Sequence, residues 1–231
     1  MFGRRRFLKT ALSCAWGLTL AGRGASAASP DATAFFLPEE GEEHLRTWMA
    51  FGASRRVWGR GLLPEARRDL ATLANTIARY EPVTMLVRTG ELGLARSLLE
   101  PSVELVECPL DDLWIRDSGP VFVVSEGGGK AAIDFNFNGW GEKQEHGRDA
   151  KVAAIVAELA GVPVIGTELV LEGGSLEVDG QGTGILTESC VLHGNRNPGV
   201  SKAQLEDLLM PLIGLEKILW LPGIRDRKSV V

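Results

Sequence analysis

Cysteine, histidine and tyrosine are scarce in this chain of 231 residues, with three, three and one of them respectively. Each scarcity removes a class of protein. Cys14 falls in an apolar N-terminal run, so only Cys108 and Cys190 serve the body of the chain, too few for a disulfide-stapled scaffold. His44, His146 and His193 lack the spacing of a metal-binding pair. Long apolar runs are missing too, since beyond the N-terminus nothing approaches the ~20 residues of a spanning helix. There is no strong internal repeat and no linker-like stretch. What is present, 45% hydrophobic residues, 24% charged residues and 28 glycines, describes a single globular α/β domain.

The first residues read as an address rather than as fold. Arg4-Arg5-Arg6-Phe7-Leu8-Lys9 precedes a small-residue apolar run, and Ala25-Ser26-Ala27 offers a cleavage site before Ala28. This is the pattern of a twin-arginine export signal over residues 1–27, implying passage through the twin-arginine export machinery to the periplasm or the exterior. An ordinary secretory signal with a basic start is the plainer alternative. Removing residues 1–27 takes five cations and no anions, so the net charge falls from −5 to −10. So acidic a chain is a poor nucleic-acid binder and a reasonable host for a cation. At the other end, Asp226-Arg227-Lys228-Ser229-Val230-Val231 matches the translation of a common sequencing adapter. The sequence therefore predicts a domain over 28–225 followed by a non-native tail over 226–231, a natural charged tail being the alternative.

Between these ends, periodicity predicts helices at Leu63–Tyr80, Glu91–Leu99, Asp149–Leu159 and from Ser201 to about Leu212. Pro64 suits the opening turn of the first, whose apolar face is Leu70, Leu73, Ile77 and Ala78. Asp149 suits an N-cap, Gly161 and Gly214 suit stops, and Ser201 with Gln204 forms a capping box. Strands are expected at Val83–Val87, Val103–Val106, Val164–Leu171, Ile185–Leu192 and Lys217–Leu221, with a hairpin of Val121–Val124 and Ala131–Phe137 across Gly127–Gly129.

Chemistry-bearing residues gather at strand ends. Asp111-Asp112-Leu113-Trp114-Ile115-Arg116-Asp117-Ser118-Gly119-Pro120 packs three carboxylates, an arginine and a tryptophan between two strands. Leu171-Glu172-Gly173-Gly174 ends an apolar strand on a carboxylate, and its glycines permit close backbone approach. Asn136-Phe137-Asn138-Gly139-Trp140-Gly141 and Asn195-Arg196-Asn197-Pro198 complete the set. From the residues alone, Asp117 either binds a ligand or caps a turn, and Glu172 is either functional or a strand-end surface charge. Trp48 and Trp140 suit a core as well as a site, and Asn138 either faces a pocket or satisfies turn backbone.

Six short motifs, in order, carry a resemblance: Thr47-Trp48-Met49-Ala50, Asp112-x-Trp114-x-Arg116-Asp117-x-Gly119-Pro120, Phe137-Asn138-Gly139-Trp140-Gly141, Glu172-Gly173-Gly174, Asp179-Gly180-x-Gly182-Thr183 and Asn195-Arg196-Asn197-Pro198. The chain from about Pro38 to Ile224 resembles the agmatine deiminase and bacterial (Porphyromonas-type) peptidylarginine deiminase family. The resemblance implies the pentein fold, an α/β propeller of five ββαβ-like blades, here incomplete because the last blades are missing. It implies a C–N hydrolase taking a small cationic guanidine or an arginyl peptide, without a cofactor or metal. In that chemistry carboxylates grip the guanidinium, a thiolate attacks its carbon, ammonia leaves, and water releases the ureido product. Asp117 is then a gripping carboxylate, and Trp114, Asn138 and Trp140 line the substrate. Glu172 pairs with a catalytic histidine that should follow Trp220-Leu221-Pro222-Gly223-Ile224. That histidine, its companion aspartate and the nucleophilic cysteine are absent from the chain, which is expected to be inactive by itself and poorly soluble. Other expectations stay open: an amidinotransferase or dimethylarginine hydrolase on the same fold, a metal-dependent hydrolase using Asp111, Asp112 and Asp117, and a binding protein for cationic ligands without turnover.

Overall fold

The computed structural model of the protein describes residues 34–223. The export signal expected over 1–27 and the tail expected over 226–231 lie outside the described residues.

In chain order the elements are β1 (Phe35–Phe36), β2 (Thr47–Phe51), α1 (Arg55–Ile77), β3 (Val83–Val87), α2 (Leu92–Leu98), β4 (Glu104–Glu107), α3 (Ile115–Ser118), β5 (Val121–Ser125), β6 (Lys130–Asp134), the single turn α4 (Gly139–Glu142), α5 (Val152–Ala160), β7 (Val164–Gly166), β8 (Glu177–Val178), β9 (Thr183–Thr187), α6 (Glu188–Val191), α7 (Lys202–Ile213) and β10 (Lys217–Leu221). They build three small sheets of order β2-β3-β4, β1-β5-β6-β7 and β8-β9-β10. The first is parallel throughout, with Thr47 opposite Val83 and Thr84 opposite Glu104. The second holds the expected hairpin, with Val121 opposite Ile133 and Val124 opposite Lys130. In the third, β10 runs parallel to β9, with Lys217 opposite Thr183.

Strand β3 shows why a near-continuous apolar run becomes a central strand. All its residues are buried, and alternate side chains face opposite layers. Val83, Met85 and Val87 pack under α1 and α2 with Ala71, Ala74 and Ala95. Leu86 points the other way, with Ala50, Cys108 and Leu110 against Val152 and Val156 of α5. The third sheet instead buries one face. Leu186 joins Leu205, Leu209 and Ile213 of α7, spaced at i, i+4 and i+8, while Ile185, Leu219 and Leu221 remain exposed.

Several elements depart from expectation for identifiable reasons. Helix α1 begins at Arg55, well before Leu63, because Ser54 caps it by accepting from Val57 N at 3.4 Å. It breaks at Gly59 (φ 66°, ψ −173°) and then resumes. Pro64 therefore lies inside the helix, yet the carbonyl its ring would crowd belongs to Arg60, at the start of the resumed segment. Leu73 is 53% exposed, so the buried stripe runs through Leu70, Ala71, Ala74, Ile77 and Ala78. Asp149 opens a short 3-10 turn ahead of α5 and spends its carboxylate on another segment rather than on its own helix. Strand β7 stops at Gly166, short of Leu171, and Cys190 sits on the helical turn α6 rather than in a strand. The capping box of Ser201 and Gln204 on α7 forms as expected.

Candidate active site

The site is built on the segment that follows β4, and a chain of buried polar contacts fixes it. Arg88, just beyond β3, donates to the carbonyls of Leu110 and Asp111, each at 3.1 Å, and to that of Gly52. Its guanidinium thus ties the ends of all three strands of the first sheet to the loop. Asp111 and Asp149 then brace one another. Asp149 accepts from the backbone N–H groups of Asp111 (2.7 Å) and Asp112 (3.0 Å), while Asp111 accepts from Arg148 N at 2.7 Å. Burial pushes the Asp149 carboxyl up from 3.8 to about 6, against the pull of those two backbone donors, with the charges of Asp111 and Asp112 adding to the rise.

Asp112 is only 1% exposed, and its side chain gathers three neutral donors. Trp58 Nε1 donates to Oδ1 at 2.8 Å, while Gln144 Nε2 and Trp114 Nε1 donate to Oδ2 at 3.0 and 3.1 Å. These bonds set up a row of rings. Trp58 stacks on Trp114 with centroids 6.3 Å apart, and Trp114 meets Trp140 edge-on at 6.4 Å. Trp114 is 44% exposed, an unusual state for so large a ring and one that leaves a face open to a ligand.

Asp117 stands at the end of this row, on the single turn α3. Trp140 Nε1 donates to its Oδ2 at 3.2 Å, and Gly174 N to its Oδ1 at 3.3 Å. Both bonds are long, and each oxygen keeps lone-pair capacity for further donors. A Cβ on Gly174 would lie 2.5 Å from Asp117 Oδ1, and one on Gly173 would lie 2.4 Å from the Arg116 carbonyl. The glycine pair is thus demanded by close approach of the two loops. Trp140 reaches Asp117 from a left-handed backbone (φ 60°, ψ 41°), a conformation that costs a bulky residue about 1–3 kcal/mol. Asn138 holds that turn from both sides. It accepts from Gly141 N at 2.7 Å and donates to the Asn195 carbonyl at 2.9 Å.

Of the residues expected at the site, the structure therefore brings Trp114, Asp117 and Trp140 together, with Asn138 supporting the turn beneath Trp140. Glu172 lies next door but in different company. Its carboxylate takes two bonds from Arg196 Nε, at 2.8 and 3.0 Å, and both side chains are nearly enclosed at 4% and 9% exposure. Cys190 Sγ approaches Glu172 Oε2 at 3.8 Å, and burial followed by the Glu172 charge pushes that thiol up. Cys108, buried and near Asp149, is pushed up to about 11. Neither environment generates a thiolate at neutral pH.

The histidines are engaged elsewhere. His44 Nδ1 lies 3.2 Å from Glu81, His146 Nδ1 lies 2.9 Å from the Gln144 carbonyl, and His193 Nδ1 lies 2.6 Å from Asn195 Oδ1. The carboxylate trio of the metal-hydrolase alternative is dispersed in role, because Asp111 and Asp112 point their oxygens at N–H donors. A cavity of about 380 Å³ lined by Trp48, Ile115, Phe122, Val156 and Leu176 touches the same loop without including Trp114, Asp117, Asn138 or Trp140. Two residues of the cluster escaped the sequence reading. Trp58 is distant in sequence from its ring partner, and Arg196 stood in a motif without an assigned role.

The arrangement is mixed α/β, and it presents a carboxylate and a row of indole rings from strand-end loops. Comparison with known proteins gives it a family. The family model described as Porphyromonas-type peptidyl-arginine deiminase matches residues 36–229, and the chain belongs to that family. The agmatine deiminase of Pseudomonas aeruginosa is 39% identical over 202 residues, covering 84% of this chain and 55% of that protein. A structure of the agmatine deiminase of Enterococcus faecalis superposes with a TM-score of 0.77 at 33% identity, covering 81% of this chain and 53% of that one. A substrate-bound agmatine deiminase from C. jejuni superposes at 0.73 with 25% identity, covering 81% and 56%. The fold is accordingly that of the pentein deiminases. The chain spans about half the length of the curated relatives it matches, between 54% and 57% for the first of them.

Proposed function

We propose that the protein is a guanidine deiminase, acting on the C–N bond of agmatine or of peptidyl-arginine. The net reaction replaces one guanidinium nitrogen with the oxygen of water, giving N-carbamoylputrescine or peptidyl-citrulline and releasing ammonia. The observation that carries this reading is Asp117. It is a half-buried carboxylate with acceptor capacity to spare, set at the end of a row of indole rings. A guanidinium offers paired N–H donors to such a carboxylate and a flat cation to such rings. Trp114 supplies the open face, Trp140 orients Asp117, and Asn138 keeps Trp140 in its strained turn. Glu172, with its charge held by Arg196, is the second carboxylate of the proposed site.

The 231 residues themselves are proposed to bind without turnover. All three histidines bond elsewhere, and both cysteines of the described residues are held as thiols. Calorimetric titration of the chain with agmatine tests the binding half of the reading. The expected result is saturable binding that Asp117→Asn weakens by at least about tenfold, and the absence of binding to the unaltered chain would reject it. Ureido product above a boiled control would reject the claim of no turnover. We place the protein outside the cytoplasm on the strength of Arg4-Arg5-Arg6-Phe7-Leu8-Lys9. Fractionation of cells carrying an Arg4→Lys, Arg5→Lys variant tests that placement.

A further inference from the structure

We infer that Trp58 is a specificity-determining residue of this site, forming the wall met by the part of the ligand beyond its guanidinium, with Asp112 as the residue that positions it. The inference rests on the guanidine reading above and adds the far end of the ligand to it. The cluster has a direction: Asp117 bonds to Trp140, Trp140 meets Trp114, and Trp114 stacks on Trp58. A guanidinium held at Asp117 with its substituent laid along the exposed Trp114 would reach towards Trp58.

The architecture around Trp58 goes beyond what helix packing requires. Trp58 is the last residue before the break at Gly59, so its turn is set apart from the rest of α1. A second tie comes from the 139–146 segment, where Arg56 pairs with Glu145 while Gln144 reaches the same Asp112 oxygen as Trp114. Asp112 makes no ion pair among the described residues, and its contacts there are neutral N–H donors. A buried anion bonded to two indole N–H groups withdraws no density from the rings. It enriches their faces and strengthens their attraction for a cation. The chemistry that fits is a short alkyl chain ending in an ammonium group.

The test is calorimetry on the full 231-residue chain with three probes: agmatine, propylguanidine and guanidinium chloride. In Trp58→Ala the ratio of agmatine to guanidinium affinity should fall about tenfold, a loss in the range of a cation–aromatic contact. Asp112→Asn should move the same ratio in the same direction, because its amide turns one donor group towards incoming N–H groups. Trp58→Phe keeps a ring without the bond to Asp112 and should give an intermediate ratio, so it decides the matter if the alanine variant fails to fold. Propylguanidine, which lacks the ammonium, should lose less than agmatine does. A ratio that stays at the wild-type value in folded Trp58 variants overturns the inference and leaves the guanidine site standing. Failure of the wild-type chain to bind any of the three probes overturns both.

Discussion

Asp117 and Glu172 belong to loops that touch, since Gly174 of one donates to Asp117 of the other, yet the two carboxylates live in opposite conditions. Asp117 is half-buried, receives two long bonds from neutral donors and keeps room for more. Glu172 is enclosed, and both its oxygens are taken by one guanidinium, that of Arg196. Glu172 thus has its charge met within the fold, while Asp117 is left short of donors.

Substitutions should separate the two roles, and the largest effect belongs to the committed pair. Arg196→Met leaves Glu172 buried without its cation and should destabilise the fold by about 3–5 kcal/mol, read by denaturant unfolding. A cost below about 1 kcal/mol would mean that Glu172 escapes to solvent. Asp117→Asn should do the reverse. Agmatine affinity should drop by about 1.5–3 kcal/mol, the worth of a charge-assisted bond, with little change in unfolding midpoint. Gly174→Ala tests the contact between the loops, since its methyl would meet Asp117 Oδ1 at 2.5 Å. About 1–2 kcal/mol of stability and a parallel loss of binding are expected, whereas an unchanged affinity would show that the Asp117 position does not depend on that glycine.

A subtler effect concerns the brace beneath the loop that carries Asp117. The folded Asp149 carboxyl is raised above its ordinary 3.8, to about 6, so the native state holds its proton more tightly than the unfolded chain does. Its contribution to stability is therefore complete at low pH and is lost as pH rises through about 6. Melting temperature measured across that window should decline in the wild type and flatten in Asp149→Asn. The smallest effect is expected on the outer face of α1, where Leu73→Lys should change stability by less than about 0.5 kcal/mol.

What was legible in the sequence followed local rules. The run Val83–Val87 announces a buried strand, and the Ser201–Gln204 pair announces the start of α7, because each signal is complete within a few residues. Asp117 and Trp114 stand out through the motif that carries them, and the fold places both beside Trp140. The misreadings arose where distant contacts decide. Nothing around Asp149 reveals that its carboxylate serves Asp111 and Asp112, far back along the chain. The basic turn at Arg55 and Arg56 has no apolar period, so the true start of α1 was invisible, and Leu73 was assigned to a face that the kinked helix turns to solvent. Trp58 and Arg196 gain their meaning only from Asp112 and Glu172, which the fold delivers and the local pattern does not.

The interruption at Gly59 has a consequence in time as well as in shape. A helix transmits disturbance along its ladder of hydrogen bonds, and that ladder is cut immediately after Trp58. The short turn ahead of the cut has exposed Arg55, Arg56 and Val57 around it, with little apolar burial of its own. Such a piece opens as its own small cooperative unit, well below the free energy of global unfolding. Its amides should exchange with deuterium far sooner than those of Leu70 to Ile77, and ligand should slow the former while leaving the latter alone. The turn that carries Trp58 would then keep its own clock, independent of the helix that follows it in sequence.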